Sequence, residues 1–177
     1  MKKYFIFLIC FSLAIIVKAQ IEVYITDSDV FTNIRNAPNG RILKSVPNKD
    51  FTYVFKITEV KNKWLKIDKS SFVRYTNDGE NEMRGLLDDI DEECWIHNTV
   101  AKTHIARPGA IPVEYKLHNS PSTKSKVIYI GNRQKGDSWN DDLLIILEIR
   151  GEWKKVRTPK GIVGWTNAEL AADLWSA

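Results

Sequence analysis

The residues best suited to chemistry are Cys94, His97 and His104, which lie close together in the sequence. A thiolate beside an imidazole can act as a nucleophile, and the same two groups are zinc ligands. Cys94 and His97 are three residues apart on a predicted strand, however, where residues at that spacing face opposite sides of a sheet. The spacing of all three also differs from that of known zinc sites. We therefore predict that the protein is not an enzyme, that it binds no metal and no cofactor, and that Cys94 is a small buried hydrophobic residue.

Carboxylates are the second group that could do chemistry, and five acidic residues lie between positions 88 and 93. A calcium loop of the EF-hand type needs Asp or Asn at alternate positions followed by Gly, and this pattern is absent although 77–82 contains some of its residues. A dense acidic run is usually a solvated loop. We predict that role here, and a weak calcium site or a basic partner remains an open alternative.

The elements that must position these residues are short strands separated by turns. Runs of β-branched and aromatic residues alternate with turn signals such as Ala-Pro-Asn-Gly at 37–40 and Pro-Lys-Gly at 159–161. Long helical periodicity is absent, and the only helical segments predicted are a helix over 80–92 and a short turn over 167–174. The pattern predicts an all-β chain. The main predicted strands are 21–26, 51–57, 63–67, 126–130, 143–149 and 153–157.

The first nineteen residues have the pattern of a secretory signal peptide. Lys2 and Lys3 precede an apolar run over 4–17, and the small residue Ala19 ends the segment. The run is too short for a helix that spans a bilayer, which needs about 20 apolar residues. Removal of Lys2, Lys3 and Lys18 would lower the formal net charge from +4 to +1. We therefore expect an exported protein, periplasmic or extracellular, with no membrane span in the mature chain and no nucleic-acid partner.

An internal repeat organises the rest of the chain. Both copies begin with an extended segment that ends in Asn, a small residue and Pro, and both continue to a Trp-containing strand and a second Trp-containing strand. The first copy carries extra residues, mainly over 70–93, which include the acidic run. The matched segments are 34–38 with 117–121, 63–67 with 152–156, and 94–98 with 164–167.

The second copy resembles a bacterial SH3-like domain. The motifs that carry the resemblance are Leu-His-Asn-Ser-Pro at 117–121, Gly-Glu-Trp-Lys-Lys-Val at 151–156, and Gly-Ile-Val-Gly-Trp at 161–165. His118 stands where such domains usually have Arg, and the first copy lacks the Gly-x-x-Gly before its last Trp. The resemblance implies two small SH3-like β-barrels in tandem.

A barrel of about sixty residues buries barely enough surface to be stable alone, so large aromatic residues should supply much of each core. Trp64 and Trp95 in the first copy, and Trp153 and Trp165 in the second, are therefore predicted to be structural. A short linker should make the two barrels pack against each other. The predicted boundaries are 1–19 for the signal peptide, 20–105 for the first barrel with its acidic insertion at 70–93, 106–112 for the linker, and 113–177 for the second barrel.

Candidate ligand-binding residues lie in the loops around the two Asn-small-Pro motifs and in a polar loop that contains an indole. Loops of this kind offer a groove for peptides, and an aromatic residue in a polar loop either anchors a ligand or packs on the neighbouring barrel. Charge is divided between the copies, with a net of −2 over 20–105 and +3 over 106–177. The candidate residues are Asn36, Asn39, His118, Asn119 and Trp139.

These features predict a non-catalytic, exported binding module. The resemblance implies that its partner is a cell-wall peptide or another envelope component, such as an envelope protein. The alternative is an inhibitor or immunity-type protein that blocks a secreted or periplasmic enzyme by inserting the acidic loop at 70–93. Neither the ligand nor the oligomeric state can be read from the residues.

Overall fold

The computed structural model describes residues 21–76, 82–106, 113–133 and 143–172. Apart from two 3₁₀ turns at Lys69–Ser71 and Asn98–Val100, the regular elements in these ranges are strands, so the prediction of an all-β chain is confirmed. In the described ranges, no helix is long and apolar enough to cross a membrane. The strands are β1 (Ile21–Ile25), β2 (Phe31–Arg35), β3 (Ile42–Pro47), β4 (Phe51–Lys61), β5 (Trp64–Ile67), β6 (Val73–Thr76), β7 (Glu82–Met83), β8 (Trp95–His97), β9 (Ala101–Lys102), β10 (His104–Ile105), β11 (Val113–His118), β12 (Val127–Arg133), β13 (Ile145–Arg150), β14 (Trp153–Arg157), β15 (Val163–Thr166) and β16 (Leu170–Ala171).

The first half of the chain forms one large sheet with the strand order β3-β2-β8-β5-β4-β1-β9, and β6 and β7 extend it from β4. The residue pattern of strand β4 explains why this sheet forms. Tyr53, Phe55 and Ile57 are buried and line one face, and they alternate with less buried residues on the other face. Asn62 and Lys63 join β4 to β5 with positive φ angles of 49° and 69°. Two successive residues of that conformation are typical of the tight turn that suits twisted hairpins.

The second half forms a sheet with the strand order β12-β11-β15-β14-β13. Its pairings repeat those of the first half, as the internal repeat predicts. Arg35 pairs with Trp95 where β2 meets β8, and His118 pairs with Trp165 where β11 meets β15. In the described residues, no pairing joins β3 to β9 or β12 to β13, so both sheets are open as they stand.

The two halves share a hydrophobic core, which agrees with the prediction that they pack together. Strands β10 and β16 pair across the junction, and Thr103 and Leu144 exchange backbone hydrogen bonds of 3.1 and 2.9 Å. The Asn98 side chain donates to the Ile146 carbonyl at 2.8 Å. Apart from Ala106, the predicted linker at 106–112 lies outside the described residues, as does the predicted signal peptide.

The two predictions of helical structure are wrong over the residues described. Within 80–92, β7 is followed by a turn, and within 167–172 the regular element is β16. Tertiary contacts explain both outcomes, because Leu87 is buried by the first sheet and β16 pairs with β10. Such contacts override the weak local preference of a short segment for a helix.

The close approach of β12 to Tyr115 makes Gly131 a sensitive position. A Cβ at Gly131 would lie 2.2 Å from Cζ of the buried Tyr115 ring. We expect Gly131→Ala to lower the free energy of unfolding by about 1–3 kcal/mol, because the ring or the strand must shift. Urea unfolding followed by tryptophan fluorescence measures the change. Asn132→Ala, at an exposed neighbouring position, is the control; equal midpoints for both variants and the parent would contradict the expectation.

Candidate binding cleft

The structure separates Cys94 from His97. The Cys94 side chain is fully buried beside the Glu92 carbonyl, and burial raises the pKa of its thiol. The His97 ring lies 2.8 Å from the Thr99 hydroxyl through Nδ1 and packs edge-on against Trp64, and desolvation lowers its pKa. A protonated, buried thiol is a poor nucleophile. These two residues therefore form no dyad.

The third of these residues, His104, lies in the junction between the halves. Its ring is 1% exposed, stacks on Tyr24 and shares a hydrogen bond of 2.9 Å with the Tyr24 hydroxyl through Nε2. Burial raises the pKa of Tyr24 well above its usual value. Among the described residues, no group of three His, Cys, Asp or Glu side chains is arranged to hold a metal ion.

The predicted ligand residues Asn36 and Asn39 shape the loop between β2 and β3. Asn36 donates through Nδ2 to Glu92 at 3.1 Å, and its Oδ1 would lie 2.3 Å from a Cβ at Gly40. Asn39 is exposed and has a φ of 58°. The Asn36 side chain is thus held by contacts within the chain, whereas the Asn39 side chain faces solvent.

The predicted ligand residues His118 and Asn119 lie in the corresponding loop of the second half. His118 is buried, its Nδ1 is 3.1 Å from the Ser125 carbonyl, and its ring packs edge-on against Trp153. Asn119 is exposed and its backbone donates to the Lys126 carbonyl. No contact among the described residues joins this loop to Asn36 or Asn39, and Trp139 lies outside those residues.

The four tryptophans that are predicted to be structural differ in their exposure to solvent. Trp64, Trp95 and Trp165 are buried, and Trp153 is half-buried. The guanidinium of Arg35 lies 5.9 Å from the centre of the Trp64 ring, so part of that ring contacts a cation.

A polar cleft on the first sheet brings together residues that no sequence pattern groups. It lies over β1, β4 and β6 and has a cavity volume of about 530 Å³, which is within the range of small-ligand sites. Charged and hydroxyl side chains dominate its lining. The lining residues are Glu22, Val54, Phe55, Lys56, Asp68, Ser70, Ser71, Val73, Tyr75, Arg84 and Ala172.

One wall of the cleft is the 3₁₀ turn at Lys69–Ser71, which Asp68 begins. The Asp68 carboxylate accepts hydrogen bonds from the Ser70 backbone at 3.2 Å and from the Ser70 hydroxyl at 2.7 Å. The Ser71 hydroxyl donates to the Asp68 carbonyl and accepts from the Lys56 backbone. These bonds hold the Ser71 side chain against β4 and the Ser70 side chain against Asp68, so this wall is preorganised.

The cleft carries both signs of charge. Glu22 and Lys56 face each other at 4.0 Å and are both partly exposed, and Asp68 and Arg84 add a second acid and a second base to the lining. Such an arrangement can bind a ligand that has an amino and a carboxylate group through charge-assisted hydrogen bonds. The lining residues of the described cleft include no cysteine and no histidine.

Sequence reasoning missed this cleft because its residues come from well-separated segments of the chain. The only local signal is Asp68 followed by Lys-Ser-Ser, a pattern in which an aspartate begins a helical turn. That signal predicts a turn but not the strands beside it.

No family model and no curated protein matches this sequence. Among solved structures, NlpC1 from Trichomonas vaginalis is similar, with 13% identity over 86% of this chain and 46% of that chain, and a TM-score of 0.31. NlpC2 from the same organism is 13% identical over 88% of this chain and 49% of that chain, with a TM-score of 0.29. The chain spans about half the length of these proteins.

The burial of Cys94 makes its thiol unreactive in the folded protein. In a Cys10→Ser variant, which leaves Cys94 as the only thiol, we expect a thiol reagent to react at least ~100-fold more slowly than in guanidinium, because reagents reach a fully buried group only after opening of the structure. The rate of release of a chromogenic thiolate measures this difference. Equal rates in native and denaturing buffer would show that Cys94 is accessible.

Proposed function

We propose that this chain is a non-catalytic, exported binding module that recognises a cell-wall peptide or another envelope component. The observation that carries the proposal is the polar cleft, where Glu22 faces Lys56 and where Asp68, Arg84 and two serine hydroxyl groups also contribute to the lining. Peptides with free amino and carboxylate groups present the complementary charges. Binding in the cleft needs no catalytic group.

The proposal includes the interpretation of the two halves as SH3-like barrels. It is supported by an equivalent pairing of a Trp-containing strand in each half, β8 with β2 at Trp95 and Arg35, and β15 with β11 at Trp165 and His118. It is also supported by the SH3-like motifs at 117–121 and 161–165. The proposal of export rests on the charged start and apolar run of the first nineteen residues.

The alternative, an inhibitor that inserts its acidic loop into an enzyme, has less support. Three of the loop carboxylates form ion pairs within the chain: Glu92 with Arg41, Asp89 with Lys44, and Glu93 with Lys66. Insertion into a partner would have to break these pairs. Exposed pairs are individually weak, but three of them together favour a loop that stays on its own sheet.

The proposal predicts that the protein is retained by purified peptidoglycan through the cleft. We expect Glu22→Gln combined with Arg84→Gln to weaken retention at least about tenfold, because each lost charge-assisted hydrogen bond is worth about 1.5–3 kcal/mol. Co-sedimentation with peptidoglycan at a series of protein concentrations measures the affinity.

The control for that experiment is Lys160→Gln, an exposed position outside the cleft lining. It should be retained like the parent protein. If the parent protein stays in the supernatant while its circular dichroism spectrum shows an intact fold, cell-wall binding is the wrong function.

A further inference from the structure

The two halves can be compared position by position around Trp95 in the first half and Trp165 in the second half. The Asn36 backbone donates to the Arg41 carbonyl at 3.1 Å, and the Asn119 backbone donates to the Lys126 carbonyl at 3.0 Å. Arg41 and Lys126 are therefore equivalent.

The paired strands extend the comparison. Lys66 pairs with Trp95, and Lys155 pairs with Trp165. Lys61 and Arg150 are also equivalent, because each is the last residue before the turn of its hairpin. Arg41, Lys61 and Lys66 of the first half thus correspond to three residues of the second half that are also basic, namely Lys126, Arg150 and Lys155.

In the first half, these cations bind the end of the acidic loop. Arg41 forms an ion pair with Glu92, and Lys66 forms one with Glu93. The Trp95 indole also donates to Glu93 at 3.2 Å. The hydrogen bond from Lys66, the one from Trp95 and the charge of Lys61 lower the pKa of Glu93. Two adjacent carboxylates are therefore held by three cations and an indole N–H.

In the second half, the same cations are present without those carboxylates. Gly164 and Trp165 match Cys94 and Trp95, so Ile162 and Val163 occupy the positions of Glu92 and Glu93. Among the described residues, Lys126 and Lys155 have no carboxylate within ion-pair distance, and the Trp165 indole has no hydrogen-bond acceptor.

The third cation of the second half, Arg150, forms an ion pair with a neighbouring carboxylate. Arg150 donates to Glu148 at 2.6 Å while its guanidinium stays 5.0 Å from the centre of the Trp165 ring. The ammonium of Lys155 lies 5.7 Å from the same centre. Two cations, Arg150 and Lys155, therefore flank this ring, and the Glu148 carboxylate is bound to Arg150.

An apolar side chain lies on the same face of β15 as Trp165. Val163 is 39% exposed and precedes Trp165 by two residues, which puts both side chains on one side of the strand. The loop that occupies the first half is apolar as well as acidic, since Leu87 is fully buried and Leu86 and Ile90 pack against the core. The second half thus offers both kinds of contact that this loop uses.

We propose that this surface of the second half, formed by Lys126, Arg150, Lys155, Trp165 and Val163, binds an acidic peptide segment of another protein. The segment has two adjacent carboxylates that follow apolar residues, and its carboxylates lie beside Lys126 and Lys155 as those of Glu92 and Glu93 lie beside Arg41 and Lys66 on the first half. The net charge of +3 over 106–177 favours such a ligand. This site is separate from the cleft and does not depend on its function.

The test uses the full chain and a synthetic peptide with the sequence of residues 86–93, Leu-Leu-Asp-Asp-Ile-Asp-Glu-Glu. Calorimetry should show one peptide bound per chain, with an affinity that falls as salt is raised from 50 to 500 mM. Lys126→Gln combined with Lys155→Gln should weaken binding at least about tenfold. Lys124→Gln, at an exposed position nearby, should leave the affinity unchanged. A peptide with Asn and Gln in place of the acids should not bind.

A second variant tests the equivalence of the two halves. Glu92→Gln combined with Glu93→Gln removes the carboxylates that occupy the first half, so the stoichiometry should rise from one peptide per chain towards two. Circular dichroism and the unfolding midpoint establish that each variant is folded.

Two results would overturn the proposal. One is that the unaltered protein does not bind the peptide, or that the Lys126 and Lys155 double variant binds it as well as the parent. The other is that the protein forms dimers in sedimentation that the Glu92 and Glu93 double variant does not form, because the occupant would then be the acidic loop of a second copy.

Discussion

The architecture depends on one antiparallel contact in each half, where a strand that carries a tryptophan returns to the first strand of its repeat. Arg35 meets Trp95 and His118 meets Trp165, and each pairing joins residues far apart in the sequence. Closing such long loops is entropically costly, and burial of the two tryptophans helps to offset that cost. Both hairpins of each half are held in one sheet by this contact. The loops that flank the hairpins, and the charges on those loops, take their positions from it.

The second constraint is the junction between the halves, which is polar at its centre although it adjoins the shared core. Thr103 exchanges backbone hydrogen bonds with Leu144, its hydroxyl donates to the Glu22 carbonyl, and Asn98 binds the Ile146 carbonyl. Buried polar groups must be paired because leaving one unpaired costs about 1–3 kcal/mol. These bonds therefore define how the halves meet. The cleft depends on that arrangement, since Ala172 from the second half contributes to its lining.

The two halves share a pairing pattern but differ in how their charges are satisfied. In the first half the acidic loop lies over its own sheet, so that Arg41, Lys44 and Lys66 are paired with carboxylates. In the second half a tight turn replaces the loop, and Lys126 and Lys155 keep the positions of their counterparts. Over the part of the chain that the structure describes, one surface is thus covered by carboxylates of its own loop and the equivalent surface is not.

The sequence by itself determined the all-β class, the internal repeat and the burial of Cys94, because alternation, turn residues and aromatic spacing are local signals. It also predicted β14 at its exact residues, 153–157. The wrong helix over 80–92 shows where local signals fail, since the partners of that segment lie on β3, β6 and the 3₁₀ turn. Only the tertiary structure decided that Asn36 is bound to Glu92 and that Glu22, Lys56 and Arg84 line one cleft. Those contacts join residues from separate strands, and the register between strands is set by packing that no local pattern encodes.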